Sequence, residues 1–94
     1  MNINKDQELV CGINTVKEII SIRPNSVEKL LLQDNKESKR IELVSSLANS
    51  NKIEIILQKD IFFEETFNGL NHQGVAIVCN KRLEENENFL DNTT

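Results

Sequence analysis

Side chains able to do covalent chemistry are few in this chain. His72 is the only histidine, and Cys11 and Cys79 are the only cysteines. A thiol nucleophile needs a base within hydrogen-bond reach. Cys79 follows His72 by seven residues and falls inside what reads as a strand. A thiol enzyme built from these residues competes with a simpler reading, in which both cysteines are buried and inert. One histidine and two distant cysteines do not make a zinc site. Neither a GxGxxG nor a Walker-type phosphate loop is present. No catalytic, cofactor-binding or metal-binding residue is assigned on these grounds, and a free-standing small enzyme is the least supported class.

Three segments carry binding chemistry instead. Gly12-Ile13-Asn14 stands at an expected strand-to-helix junction. Helix N-termini offer free amides and the positive end of a dipole, and both favour phosphate. Gly12 allows close backbone approach, and Asn14 can donate or accept at a base edge or ribose. An ordinary tight turn with an Asn cap explains the same residues. Lys36, Lys39 and Arg40 cluster near the expected start of a second helix, where they could meet phosphates. They could also be a solvated face paired with Glu37 and Glu42. Asn71-His72-Gln73-Gly74 precedes the last apolar run and suits hydrogen bonding to RNA, or simply the holding of a turn.

The elements that must position these segments follow from periodicity. Residues 8–11 read as a short strand ended by Gly12. A helix over 14–22 places Val16, Ile19 and Ile20 on one face, with Asn14 as its cap, and Pro24 stops it. A second strand covers 27–32 and ends in a continuous apolar run, as expected when both faces are covered. Asp34, with Glu37 three residues on, predicts the opening of a second helix. Ile41, Val44, Leu47 and Ala48 form its buried face, and 49–51 close it. A third strand over 53–57 is rich in β-branched residues. Asp60 is expected to cap a short helix whose Phe63 and Phe67 share a face, with Gly69 at its end. A fourth strand covers 75–79. The order β-α-β-α-β-α-β implies an α/β domain with a mixed or largely parallel four-stranded sheet and helices on both faces.

Length and charge bound the class. Ninety-four residues fit one domain. The formal net charge is -4, but all 11 Lys and Arg lie in residues 1–83 together with 11 of the 15 Asp and Glu. The body is therefore balanced, and the acidity sits in Glu84, Glu85, Glu87 and Asp91. Such a body can gather positive charge on one face, but it is not a strongly basic, non-specific binder. Without Trp or Tyr, a broad stacking platform for single strands is not expected. No apolar run approaches the roughly 20 residues of a membrane span, and a polar start with two unpaired-looking cysteines fits a reduced, cytoplasmic protein. Residues 1–7 are expected to be a disordered lead-in, 8–83 the folded domain and 84–94 an acidic linker.

Taken together, the segments resemble the N-terminal substrate-binding domain of SpoU-class (TrmH-family) RNA 2'-O-ribose methyltransferases, and most nearly the type acting on a guanosine ribose of large-subunit ribosomal RNA. The family opens with an aromatic-Gly-Ile-His-Ala-Val pattern, here Cys11-Gly12-Ile13-Asn14-Thr15-Val16, and closes the domain with His-Gln-Gly and an apolar strand, here His72-Gln73-Gly74-Val75-Ala76-Ile77-Val78. Cys11 replaces the aromatic residue. Asn14 replaces the histidine, keeping hydrogen bonding without a titratable ring. The resemblance implies a three-layer α/β/α sandwich like ribosomal protein L30. It implies RNA docking at the glycine-containing junction, in agreement with the candidate RNA-facing set of Gly12, Asn14, Lys17, Lys36, Lys39, Arg40, His72 and Gln73. It further implies ribosomal or transfer RNA as partner, a covalently linked catalytic domain that binds S-adenosylmethionine, no cofactor site in this chain, and a homodimer as an option for the full-length protein. A protein-interaction or dimerisation module of the same kind of enzyme is the competing expectation.

Overall fold

In a computed structural model, residues 5–80 are described. The expected linker over 84–94 and the first four residues of the lead-in lie outside them. Strand β1 (Gln7–Cys11) leads into helix α1 (Ile13–Ile22), a 3-10 turn (Pro24–Ser26) and strand β2 (Val27–Gln33). Helix α2 (Lys39–Ser50), strand β3 (Glu54–Gln58), helix α3 (Asp60–Thr66) and strand β4 (Val75–Asn80) follow. The predicted order of elements is the observed one.

The sheet order is β1-β4-β2-β3. β4 is antiparallel to both β1 and β2, whereas β2 and β3 are parallel. The sheet is therefore mixed: β1, β2 and β3 run one way, and β4 runs back between β1 and β2. A register shift between Val27 and Lys29 puts a bulge at Glu28, whose carboxylate accepts from Asn80 Nδ2 at 3.1 Å.

Both inner strands are covered on two faces, which is why their sequences do not alternate. Leu30, Leu32, Val75, Ile77 and Cys79 face one side, packed with Ile13, Val16 and Ile20 of α1 and Ile41, Val44 and Ala48 of α2. Leu31, Ala76 and Val78 face the other, beneath Phe63 and Phe67. The result is an α/β/α sandwich with α1 and α2 on one side and α3 on the other. Each fully buried aliphatic or Phe side chain contributes about 1.5–3 kcal/mol. Cys79 lies in the α1–α2 layer and Cys11 packs into the α3 layer. The sheet separates them, and both are free thiols.

Helix starts differ from the sequence expectation. α1 is capped by Gly12, not Asn14, and no side chain of its own segment closes that end. α2 begins at Lys39, not near Asp34, because Ser38 Oγ accepts from the Ile41 amide at 3.2 Å. Residues 34–38 are then a connecting turn. In α3 the cap is Lys59, and Asp60 is the first helical residue. Phe67 caps its C-terminus, with Gly69 two residues beyond at φ 81°.

Candidate nucleic-acid interface

Strand direction assembles the site. The C-terminal ends of β1, β2 and β3 and the N-terminal start of β4 lie at one end of the sheet, so the loops after 11, 33 and 58 and the loop before 75 are neighbours. Backbone hydrogen bonds join them: Gly12 N–H to the Val75 carbonyl at 3.0 Å, Gln33 N–H to Gly74 at 2.9 Å, and Asp34 N–H to Gln58 at 2.8 Å. Ligands of open α/β sheets sit outside the carboxyl ends of strands, and a rigid scaffold presenting loops is how binding residues are commonly held.

Gln73 caps α1 from sixty residues away. Its Oε1 accepts from the Ile13 amide at 2.9 Å, satisfying one of the orphan donors of that helix end. To do so Gln73 takes a left-handed backbone, φ 57°, a conformation L-residues adopt at a cost of about 1–2 kcal/mol. Gly12, at φ 99°, completes the junction. Its own N–H is committed to Val75 and the next amide to Gln73, so only the first-turn amides of Asn14 and Thr15 lack an acceptor within the helix. The Asn14 side chain is exposed on that turn, and Lys17 is half-buried one turn further along.

His72 holds the turn from its other side. Its Nδ1 accepts from the Gly74 amide at 2.8 Å, which places the proton of the neutral ring on Nε2. The ring packs on Phe63 at 5.0 Å and on Phe67 at 6.1 Å between centroids. The aromatic cluster under the sheet thus fixes a residue of the loop. Nε2 is the His72 atom left to meet a ligand.

Gly74 is the point of closest approach. A Cβ there would stand 2.7 Å from Lys36 Cδ and 3.1 Å from Gln33 Oε1, and the backbone is left-handed at φ 75°, a conformation glycine adopts without strain. Gln33 Nε2 donates to Asp60 Oδ1 at 2.9 Å. That bond fixes the amide orientation and leaves Oε1 buried without a hydrogen-bond partner among the described residues.

Lys36 is exposed in the turn after β2, and Lys39 and Arg40 are exposed in the first turn of α2. Among the described residues no ion pair holds any of the three, so Glu37 and Glu42 do not neutralise them by direct contact. The structure therefore brings Gly12, His72, Gln73, Gly74 and Lys36 into one connected set with Asn14 beside it. Lys39 and Arg40 stand at the same end without direct contact to that set, and Lys17 is the most remote. Sequence reading passed over Gln33 and Ser38, and took Asp60 for a helix cap rather than the partner of Gln33. Ser38 had a usable signal: it stands three residues before Ile41, the first apolar residue of the helical period.

Polar and basic loop residues gathered at one end of a three-layer α/β sandwich define a recognition domain. Residues 9–84 match the family described as RNA 2'-O ribose methyltransferase substrate binding, and the chain belongs to that family. It is a SpoU-type substrate-binding domain, whose substrate is RNA. No curated protein matches the chain.

Proposed function

We propose that this domain captures a structured element of ribosomal RNA and presents it to a catalytic domain of the same protein. That catalytic domain transfers a methyl group from S-adenosylmethionine to a ribose 2'-oxygen, in the reading nearest the sequence a guanosine of the large subunit. In this division of labour the present chain contributes binding and orientation, and the methyl donor is held by the catalytic domain.

The observation that carries the proposal is the convergence of three cations without an ion pair among the described residues, Lys36, Lys39 and Arg40, with the loop of His72 and Gln73 at one end of the sheet. Phosphate contacts fix register and orientation, and polar loop groups read what is unpaired. Residues 1–83 hold 11 Lys and Arg against 11 Asp and Glu, so apart from these three cations the body is net acidic, which limits non-specific attraction.

The test is a salt titration of binding to ribosomal RNA fragments. If Lys17, Lys36, Lys39 and Arg40 each meet one phosphate, the log–log salt slope is about -3.2, at roughly 0.8 per phosphate. Affinity then falls about 80-fold between 50 and 200 mM salt by the same relation. Replacing Lys39 and Arg40 by Ala should reduce that fall to about ninefold. Absence of binding at low salt to every fragment, or an unchanged slope in the double variant, refutes the proposal.

A further inference from the structure

β3 is the outermost strand of its sheet and pairs with β2 on one side only. Successive residues of a strand turn their N–H and C=O groups to alternate sides. The Gln58 carbonyl accepts from the Asp34 amide at 2.8 Å, so Glu54, Ile56 and Gln58 face β2. Ile55 and Leu57 therefore face outward, and neither their amides nor their carbonyls are bonded to another described residue. The outward residues on either side of them are already engaged. The Ile53 amide donates to Ala48 at 2.9 Å, and the Lys59 carbonyl accepts from Phe62 at 3.0 Å.

Exposed strand edges are commonly guarded by proline, lysine or a bulge. The strand Glu54–Gln58, of sequence EIILQ, holds neither residue, and its pairing with β2 is regular. Leu57 is 62% exposed beside the open edge. A second β3 laid antiparallel about a two-fold axis through Ile56 matches this edge group for group. Ile55 then meets Leu57 of the second copy and Leu57 meets its Ile55, as pairs that exchange both backbone bonds. Every outward amide and carbonyl is satisfied. Moving the axis to Ile55 or Leu57 sets Leu57 against Ile53, or Ile55 against Lys59, whose backbone groups already serve the adjoining helices. The Leu57 axis also opposes Glu54 to Asp60. With the axis at Ile56 the side chains agree with the backbone. Ile55 packs on Leu57, Ile56 meets itself, Glu54 faces Gln58, and just beyond the strands Lys52 falls toward Asp60 of the other copy.

We propose that the β3 edge is a two-fold contact between copies of this chain, joining two four-stranded sheets into one continuous sheet. The antiparallel pairing points the carboxyl ends of the two β3 strands in opposite directions. The two candidate RNA-binding ends therefore lie at opposite ends of the joint sheet, and a contact centred on Ile56 covers neither. The contact does not depend on RNA.

The experiment is sedimentation equilibrium of the 94-residue chain over a range of concentrations. Two short strands make a contact at the low end of interface sizes, below about 1,200 Å², so half of the chains should be paired near roughly 1 mM. The mean mass should rise there to about 1.5 times the 10.8 kDa of one chain. Leu57→Lys alters an exposed side chain and should keep the circular dichroism spectrum while holding the mass at 10.8 kDa. Hydrogen exchange of the parent should show the Ile55 and Leu57 amides gaining protection as concentration rises. Ile56→Cys places two thiols on the axis at a Cα separation of about 4.5 Å, within disulfide reach. Leu57→Cys places them on a diagonal of about 7–8 Å, outside it. Oxidation should therefore cross-link the first variant and spare the second, with the parent and its two native cysteines as control. A mass of 10.8 kDa at every concentration overturns the proposal. So does a dimer that survives Leu57→Lys, or one that cross-links equally at both positions. A mass that climbs past two copies shows open-ended growth instead of a closed two-fold contact and overturns it as well. RNA binding stands or falls separately from all of these results.

Discussion

Gln73 carries two burdens whose energies can be separated. Its Oε1 caps α1 by accepting from Ile13, whose side chain is 4% exposed, and its backbone pays for a left-handed φ of 57°. In Gln73→Ala the strain remains and the cap is lost. Loss of an N-cap acceptor costs about 0.5–2 kcal/mol, and a sheltered amide left unpaired about 1–3 kcal/mol, so about 1.5 kcal/mol is expected. For a domain of this size, with a urea m-value near 1 kcal/mol/M, the midpoint should fall by about 1.5 M. Gln73→Gly loses the same cap but escapes the strain. It should be more stable than Gln73→Ala by about 1 kcal/mol, the left-handed penalty less the extra chain entropy of glycine. Gln73→Glu keeps an acceptor and adds negative charge at a helix N-terminus, so it should remain near the parent at neutral pH. Urea unfolding of the four proteins is the assay, with hydrogen exchange of the Ile13 amide as local readout. A Gln73→Ala variant within 0.3 kcal/mol of the parent, or one more stable than Gln73→Gly, refutes the reasoning.

Further perturbations probe the layers beneath the loop. Phe63 is fully buried against Phe62, Phe67 and His72; Phe63→Ala should cost about 3–5 kcal/mol in chemical denaturation. His72→Asn can restore an acceptor for Gly74 but not the ring packing, so it should unfold at lower urea than the parent and at higher urea than His72→Ala. Burial pushes the Cys79 thiol up, reinforced by Glu8 and opposed by Arg23. A thiol favoured in its neutral form stabilises the fold fully below its unfolded value and loses that contribution as pH rises through the folded one. Stability should therefore decline as pH rises from about 9.0, the ordinary value, and Cys79→Val should decline less. In the native protein Cys79 should also react with a thiol reagent more slowly than the half-buried Cys11.

Much of this architecture was legible before any coordinates. The apolar runs of β2 and β4 announced strands covered on both faces, and Val16 and Ile20, like Val44 and Ala48, lie where helical periodicity put them. Three helix starts were misplaced for a common physical reason. Asn14, Asp34 and Asp60 all have good capping side chains, and local propensity cannot tell which of several will be used. At α1 the answer is none of the neighbours, because Gln73 comes from the far end of the chain. The same non-locality hid Gln33, a polar residue at the end of a strand whose importance follows from Asp60 holding its amide and from Gly74 leaving space above it. His72 and Gln73 were legible as a pair that either meets RNA or holds a turn; the helix that Gln73 caps and the ring packing that fixes His72 were not. Gly12 and Gly74 were visible as glycines, yet the reason for Gly74, a left-handed φ of 75° with the Gln33 side chain packed close by, exists only in three dimensions.

The central claim is that RNA meets the carboxyl end of β1, β2 and β3. The direct measurement is amide chemical-shift mapping of the labelled domain titrated with a ribosomal RNA fragment. Perturbations are expected at Gly12 to Asn14, Gln33 to Arg40 and Asn71 to Gly74, with Arg23 to Ser26 and Asn49 to Lys52, at the opposite end, unchanged. Shifts concentrated at that opposite end, around Arg23 and Lys52, would contradict the account.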